Sequence, residues 1–380
     1  MERPTAIELF SGCGGMSSGL LDAGYDVRLG VDHDRPSVDV FEYNHAYRGS
    51  RSLLADVAAL SGHDLLSSAG VASVDLLVGG PPCQPFSIVG KRLGLADPRA
   101  QLIQEYLRLI CQINPRAVIF ENVPSLISAH DGAVIDDIEA QLTSMGYRVK
   151  YGILNAADYG VPQNRKRLIL VAVRGRSRFP FPPGPTHAAI PDLFHAPYVT
   201  CRDALSDLPD VEEPAAAAIP NHVRTQHTPR MTEAFARLAP GKRDPGSYHD
   251  RLHPDRPGYT LRAGSGNFSP LRPVHYLYNR VISVRESARL QGFSDSFIWP
   301  DSISRLQQYR QVGNAVPPPL ARVVGAFIAY LQGWALDPDA SLGNPNDRPN
   351  GLLLTPEELR DRRMRYHRGG ASFGKRKAEV

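Results

Sequence analysis

The sequence has few cysteines, and no two of them are paired along the chain. Only four occur in 380 residues, at positions 13, 83, 111 and 201. None belongs to a C-x-x-C pair, which argues against a disulfide framework and against a cysteine-based zinc site. We therefore expect reduced thiols and no metal centre.

Long apolar runs are also missing. No stretch approaches the roughly 18 apolar residues that cross a membrane, and residues 1–4 lead directly into a predicted strand instead of a signal-peptide core. Hydrophobic residues still make up 42% of the chain, enough for a sizeable core. These features predict a cytoplasmic globular protein of two or three domains with no membrane partner.

An excess of one charge sign is absent from most of the chain. The net charge is +4, and residues 351–380 hold eight Lys/Arg against four Asp/Glu, so residues 1–350 balance at 35 of each sign. A polyanion would therefore have to bind a local patch. The best candidate is Tyr159–Pro191, which has no acidic residue and contains Arg165, Lys166, Arg167, Arg174, Arg176 and Arg178. Such a run is either a solvated basic face or a nucleic-acid contact.

One segment places a single thiol in a stiffened loop. The apolar run 74–78 predicts a buried strand, and residues 79–87 continue it as Gly-Gly-Pro-Pro-Cys-Gln-Pro-Phe-Ser. The three prolines restrict the backbone around Cys83. A lone cysteine is usually a small buried hydrophobe. However, the carboxyl ends of strands are where open α/β sheets bind ligands, so Cys83 is also a candidate nucleophile.

The beginning of the chain predicts a Rossmann-like unit. A strand over 5–10 runs into the glycine turn 11–15, and a helix follows from about Met16. The fingerprint G-x-G-x-x-G is not met, because position 17 is Ser. The next apolar run, 27–31, ends at Asp32, where a carboxylate can bind two ribose hydroxyls.

Two neighbouring residues complete this cofactor hypothesis. His33 could lie against an adenine ring, and Asp56 could bind the adenine amino group or could equally cap a helix. Nothing here suits a pyrophosphate, so the pattern favours S-adenosylmethionine over a nicotinamide dinucleotide.

Further along, buried strands alternate with helices. The patterns predict helices over 99–113 and 134–145 and strands over 117–120, 147–154 and 168–173. Glu121 follows one strand directly, and a glutamate at a carboxyl end is seldom structural. Arg165 and Arg167 alternate along an extended backbone and should point to one side.

The last third is less regular. Residues 176–250 lose periodicity and predict a smaller irregular domain, with a long surface insertion as the alternative. Residues 280–293 predict a strand that becomes a helix capped near Ser283, and 311–319 predict a tight turn with Asn314 at the start of a helix over 320–334. A linker follows, then a short helix after Thr355 and a basic tail.

Residues 79–87 resemble the catalytic loop of the C5-specific DNA cytosine methyltransferases. Five further motifs follow in the order typical of that family, including Gln163-Asn-Arg-Lys-Arg167, which matches its Q-x-R-x-R motif. The resemblance covers residues 5 to 334. It implies an α/β fold with a Rossmann-like, S-adenosylmethionine-dependent methyltransferase sheet and a smaller, irregular target-recognition domain.

The resemblance also implies site residues. The catalytic set is Cys83, Glu121, Arg165 and Arg167. The set binding S-adenosylmethionine, and its product S-adenosylhomocysteine, is Phe10, Gly12, Gly14, Gly15, Asp32, His33, Asp56, Pro82, Asn314 and Val316. The substrate-binding set is Gln84, Ser87, Lys91, Arg92 and Asn122. The basic segment 88–100 is expected to close over a substrate.

The chemistry explains this choice of residues. C5 of cytosine is a poor nucleophile, so a thiolate must first add to C6 while Glu121 meets N3. The base must be flipped out of the duplex to be reached. We therefore expect a sequence-specific DNA methyltransferase, of the kind that forms half of a restriction-modification system. The alternatives are an RNA (tRNA) cytosine methyltransferase and a catalytically silent DNA-binding relative.

The domain prediction follows the motifs. Residues 1–175 form the catalytic and cofactor-binding domain, 176–255 the target-recognition domain, 256–334 a supporting motif with a return to the catalytic domain, and 335–380 a linker and basic tail. Double-stranded DNA is the expected partner of a monomer, and a cognate restriction endonuclease would act separately.

Overall fold

The computed structural model describes residues 2–82, 101–175, 178–263 and 273–341. Its centre is a sheet of seven strands in the order β3-β2-β1-β4-β5-β7-β6. The five strands β1 to β5 are parallel, and β7 runs antiparallel to both β5 and β6. The strands are β1 (Thr5–Leu9), β2 (Asp26–Asp32), β3 (Arg51–Leu54), β4 (Leu76–Gly79), β5 (Ala117–Asn122), β6 (Arg148–Asn155) and β7 (Lys166–Val173). The predicted α/β sheet is confirmed.

Helices cover both faces of this sheet, as the apolar runs of its strands require. One face packs against residues of the third, fourth and fifth helices, and the other against the first and last. The helices of the sheet layer are α1 (Gly15–Ala23), α2 (Arg35–His45), α3 (Gly62–Ala69), α4 (Gln101–Ile113) and α5 (Ala133–Ser144). Predicted and observed bounds differ by a few residues at most, and Glu121 lies inside β5 rather than after it.

Between residues 178 and 263 the elements are short. They are the paired strands β8 (His187–Ala188) and β9 (Ala196–Pro197) and the helices α6 (Cys201–Leu205) and α7 (Pro229–Arg237). This agrees with the lost periodicity in the sequence. The domain boundaries themselves stay a prediction.

The late helices are α8 (Val284–Gln291), α9 (Arg305–Asn314) and α10 (Pro318–Gln332). Ser283 caps α8 through a capping box with Glu286, as the sequence indicates. The strand predicted before it is wrong, because this segment forms only an isolated bridge between Val274 and Val281.

The turn predicted at 311–319 is also wrong in part. Asn314 ends α9 instead of opening the last helix, and α10 begins at Pro318, where a proline's missing N–H is harmless. Helix α10 packs directly on α1, because a Cβ at Gly19 would lie 2.2 Å from the Pro318 carbonyl oxygen. Tyr25, just after α1, donates a hydrogen bond of 2.8 Å to the Gly325 carbonyl oxygen. The chain's late helix thus returns to its first.

Within the described ranges, no helix is both long and apolar enough to cross a lipid bilayer. Five predicted site residues, namely Cys83, Gln84, Ser87, Lys91 and Arg92, lie outside these ranges, as do the predicted helix after Thr355 and the basic tail.

Candidate active site

A cavity of about 630 Å³ opens at the carboxyl edge of the sheet. It lies beyond the ends of β1, β2, β4 and β5, where parallel strands bind ligands. Twelve predicted site residues line it: Phe10, Gly12, Gly15, Asp32, His33, Asp56, Pro82, Glu121, Asn122, Arg167, Asn314 and Val316. The sequence motifs are therefore brought together in one place.

The glycine turn forms one wall of this cavity. The Gly12 N–H donates a 2.8 Å hydrogen bond to Asp32 Oδ2, and Gly12 has a φ of 52°. A Cβ at Gly15 would lie 2.5 Å from the Val316 carbonyl oxygen. This close approach requires glycine at position 15, and it ties the turn to the segment between α9 and α10.

Acidic groups on this wall are fixed by backbone donors. Asp32 Oδ1 accepts a hydrogen bond of 2.9 Å from the Asp34 N–H, so the whole carboxylate is held in place. Asp56 accepts a 2.9 Å hydrogen bond from the Ala58 N–H and caps the 3₁₀ turn Val57–Ala59 while lining the cavity. The predicted helix-capping role of Asp56 is thus present, and its contact with adenine stays a prediction.

Two buried polar atoms here have no hydrogen-bond partner within the part of the chain that the structure describes. They are Ser11 Oγ and Gln311 Nε2, and both residues line the cavity. Buried polar groups are normally paired. Together with the glycine wall and the fixed carboxylates, they suit a polar ligand of nucleoside size.

The opposite wall holds a glutamate beside an arginine. Glu121 Oε1 lies 3.0 Å from Arg167 Nε, and the two side chains are 12% and 14% exposed. Burial raises the pKa of Glu121, although the charges of Arg167 and Arg165 act against that rise. A raised pKa makes this carboxyl group a better candidate for a general acid than an ordinary glutamate.

The end of β4 passes close to this glutamate. A Cβ at Gly80 would lie 2.8 Å from Glu121 Oε2. The Asn122 side-chain amide donates a 2.9 Å hydrogen bond to the Pro81 carbonyl oxygen. These contacts fasten residues 80–82, which lead into the predicted catalytic loop, beside the carboxyl group.

Comparison with known proteins identifies the family to which the chain belongs. A family model described as C-5 cytosine-specific DNA methylase matches residues 5–329. The chain belongs to this family. The methylase is 33% identical over 375 residues to Type II methyltransferase M.XorII of Xanthomonas oryzae pv. oryzae, covering 86% of this chain and 85% of that protein. It is also 33% identical over 343 residues to Type II methyltransferase M1.HphI of Haemophilus parahaemolyticus, covering 86% of this chain and 87% of that protein.

Solved structures give the same fold. A protein described as a prophage-encoded DNA modification methyltransferase from E. coli superposes with a TM-score of 0.72 at 26% identity, covering 87% of this chain and 99% of that one. The S. pombe Dnmt2 methyltransferase superposes with a TM-score of 0.63 at 20% identity, covering 87% of this chain and 99% of that one. The second likeness concerns the fold alone.

Of the predicted site residues that the structure describes, two do not line the cavity of the methylase. Arg165 is fully buried and donates to the carbonyl oxygens of Leu261 at 3.1 Å and Gly313 at 2.7 Å. Burial lowers its pKa to about 9, which still leaves a cation at neutral pH. Gly14 belongs to the glycine turn but does not line the cavity, and a Cβ at this position would be 2.3 Å from His45 Cε1. Both residues support the wall rather than form it.

Sequence reasoning missed one stripe of the methylase cavity. Helix α9 presents a polar face with spacings of three and four residues, the spacing of one helix side. The residues that were missed are Gln307, Arg310 and Gln311, which line the cavity beside the predicted Asn314. The available signal was Ser304 before a helix-compatible stretch, since its side chain accepts from the Gln307 N–H.

Glu8 was missed as well. It lies in β1 among apolar residues, is 4% exposed and lines the cavity. An acid inside an otherwise apolar strand was the signal for it.

Proposed function

We propose that this methylase transfers a methyl group from S-adenosylmethionine to C5 of a flipped cytosine at a specific site in double-stranded DNA. One observation carries the proposal. A carboxyl group with a raised pKa, Glu121, shares a single cavity with the glycine turn and the fixed carboxylate of Asp32. The group that activates a base and the group that binds a nucleoside cofactor thus face the same space.

Residues of one wall would hold the cofactor, which when bound supplies an electrophilic methyl group on a sulfonium. Asp32 would bind the ribose hydroxyls and Asp56 the adenine amino group. Phe10 and His33 would flank the adenine, and the glycine turn with Asn314 and Val316 would enclose the methionine end. The paired backbone bonds on Asp32 support this, because they leave its position fixed before the cofactor arrives.

Glu121 and Arg167 of the other wall would act on the base together with Cys83, which lies outside the described residues. The Cys83 thiolate adds to C6 and the Glu121 carboxyl protonates N3, so the electron pair gathers at C5. After C5 has taken the methyl group, a base removes the C5 proton. The bond from Cys83 to C6 then breaks and the N3 proton returns to Glu121. Arg167 would keep the Glu121 carboxyl facing the ring.

The substrate must leave the duplex for this chemistry. Unstacking one base costs a few kcal/mol, which phosphate contacts from basic residues repay. We assign that role to Lys91 and Arg92 of the predicted loop. Because M.XorII and M1.HphI are described as Type II methyltransferases, we further propose that this methylase is the modification half of a restriction-modification system.

The test is methyl transfer by the purified full-length protein from labelled S-adenosylmethionine to duplex DNA and, in parallel, to tRNA. We expect label in DNA only, and bisulfite sequencing of DNA from an expressing host should then give one recurrent site. Cys83→Ala should abolish transfer while DNA binding is kept. Label in tRNA alone, or full activity of Cys83→Ala, would contradict the proposal.

A further inference from the structure

Two buried side chains from outside α1 hold the first turn of that helix. Glu8 binds it from β1, and His45 binds it from the end of α2. We propose that Glu8 and His45 are positioning residues, which act through Ser17 and Ser18 to fix the glycine turn 12–15 for the cofactor. This inference rests on the proposed function, and it gives a role to two residues that the predicted site sets do not contain.

Glu8 accepts two hydrogen bonds from Ser17 of the helix. Its Oε2 accepts the Ser17 N–H at 2.9 Å and also the Ser17 hydroxyl. Ser17 is the third residue of α1, whose backbone N–H has no partner inside the helix. The left-handed Gly14 at the N-cap makes no side-chain cap. Glu8 therefore does from a neighbouring strand what a capping residue usually does from within the chain.

Ser17 occupies the position where the dinucleotide fingerprint has its third glycine. In this fold the serine is needed as a donor, because its two hydrogen bonds to Glu8 join β1 to α1 directly beneath the cavity. The deviation from G-x-G-x-x-G thus has a structural use. A glycine at 17 would keep the backbone bond and lose the hydroxyl one.

His45 supports the other side. Its Nδ1 lies 2.9 Å from the Phe41 carbonyl oxygen, to which it must donate, so its Nε2 can accept from Ser18 Oγ at 3.0 Å. The Ser18 hydroxyl also has the Gly14 carbonyl oxygen as an acceptor at 2.9 Å. Its ring lies against Gly14, where a Cβ would be only 2.3 Å from His45 Cε1. The ring also packs on Phe41 with centroids 4.4 Å apart. Burial lowers the pKa of His45 to about 3, so it stays neutral and keeps this tautomer.

A shift of α1 would displace residues that line the cavity. The turn is bound to Asp32 through the Gly12 N–H, and it touches the Val316 carbonyl oxygen at Gly15. Asp32 and Val316 both line the cavity. Loosening the first turn of α1 should therefore weaken cofactor binding before it alters the groups that act on the base.

The experiment measures binding of S-adenosylhomocysteine to the full-length protein by calorimetry, together with the melting temperature. Glu8→Leu removes both acceptor contacts to Ser17, and His45→Leu removes one of the two acceptors of the Ser18 hydroxyl together with the ring that packs against Gly14. Each should raise Kd by about tenfold or more, the fold change of roughly one lost buried hydrogen bond. Burial raises the pKa of Glu8 to about 8, so it is largely a neutral acid at pH 7. Glu8→Gln, its neutral isostere, should therefore keep Kd within about threefold.

The matched control is Tyr25→Phe. It removes a buried 2.8 Å hydrogen bond between the other end of α1 and α10, remote from the turn. It should lower the melting temperature and leave Kd unchanged. At saturating cofactor, the Glu8 variants should recover most of kcat, because the effect lies in binding.

Three results would overturn the proposal. Wild-type affinity in both Leu variants is the first. Equal weakening of binding by Tyr25→Phe is the second, since it would reduce the effect to general stability. If Glu8→Leu does not fold, Ser17→Ala replaces it, and an unchanged Kd for that variant is the third. A wild-type protein that binds no S-adenosylhomocysteine would instead refute the proposed function itself.

Discussion

Two glutamates of the methylase lie beside arginines, yet they differ in acidity. Glu121 in the cavity is 3.0 Å from Arg167 Nε, and its side chain is 12% exposed. Glu286 in α8 is 2.8 Å from Arg280 Nη1, and its side chain is 1% exposed. The pKa is raised for Glu121 and lowered for Glu286. Burial acts in the same direction on both, so the partners decide.

The partners of Glu286 occupy both of its oxygens. Oε1 accepts Arg280 Nη2 at 2.9 Å, and Oε2 accepts Arg280 Nη1 at 2.8 Å and the Ser283 N–H at 2.6 Å. Burial alone would raise the pKa of Glu286, but these bonds and the charge of Arg280 outweigh it. A carboxylate paired in this bidentate way stays ionised and holds its surroundings together.

At Glu121, Arg167 Nε lies 3.0 Å from Oε1, and a Cβ at Gly80 would lie 2.8 Å from Oε2. The charges of Arg167 and Arg165 and the hydrogen bond from Arg167 favour the ionised form, but they do not outweigh burial. Burial then dominates and the pKa rises. The same two residue types thus make an acid or an anchor, depending on whether the charges and hydrogen bonds around the carboxyl group outweigh its burial.

The largest predicted effect separates the two glutamates by activity. Glu121→Gln should lower kcat by about a hundredfold to ten-thousandfold, the usual contribution of a general acid, with little loss of stability. Single-turnover methyl transfer to duplex DNA measures it. Glu286→Gln, corrected for the folded fraction, should keep kcat. Equal losses in both variants would remove the distinction.

The second effect separates them by stability. Glu286→Gln should lower the free energy of unfolding by about 3 kcal/mol, because it leaves Arg280 charged and incompletely paired in a buried site. Urea unfolding followed by fluorescence of the tryptophans, one of which is the buried Trp299, would report it. Glu121→Gln should change this free energy by less than about 1 kcal/mol. The reverse order would show that Glu121 is the anchor.

Much of this arrangement could be predicted from local patterns. Apolar runs marked the strands, the glycine turn marked the start of α1, and Ser283 with Glu286 marked the start of α8. Asp32 ends β2 and lines the cavity, as a residue at the carboxyl end of a parallel strand is expected to do. Each of these signals lies within a few residues of the feature it predicts.

The missed features depend on distant partners. Helix α9 buries two glutamines, Gln308 and Gln311, beside the apolar Tyr309 and Val312, so its apolar pattern is weak. It is held by contacts such as the 3.0 Å bond from Trp299 Nε1 to Gln311 Oε1. Arg165 binds carbonyl oxygens 96 and 148 residues away in sequence. Such pairings cannot be derived from one sequence, because a polar residue carries no sign of the acceptor that will bury it.

A smaller effect is expected from the arginines. Arg167 also donates from Nη1 to the Lys166 carbonyl oxygen at 2.8 Å, so it is anchored while it meets Glu121. Lysine has no planar fork and cannot make both bonds. Arg167→Lys should therefore lower kcat by about tenfold through misplacement of Glu121, with KM for the cofactor unchanged. In the control, Arg280→Lys should lower stability and leave kcat per folded molecule intact.

The smallest effect is a difference in how stability follows pH. The raised pKa of Glu121 contributes stability below the unfolded value, and this is lost as pH rises through the folded pKa. The lowered pKa of Glu286 contributes stability above the unfolded value, and this is lost as pH falls through the folded pKa. The two glutamates therefore make the stability of the methylase depend on pH in opposite directions.

Unfolding free energies measured between about pH 4 and pH 8 check this. As pH rises, the unfolding free energy of Glu121→Gln should increase relative to that of the wild type, because the glutamine cannot ionise. Over the same range the unfolding free energy of Glu286→Gln should decrease relative to that of the wild type, because only the wild type gains the charge that pairs with Arg280. Parallel curves for all three proteins would mean that neither pKa is displaced, and the contrast between acid and anchor would then rest on hydrogen-bond geometry alone.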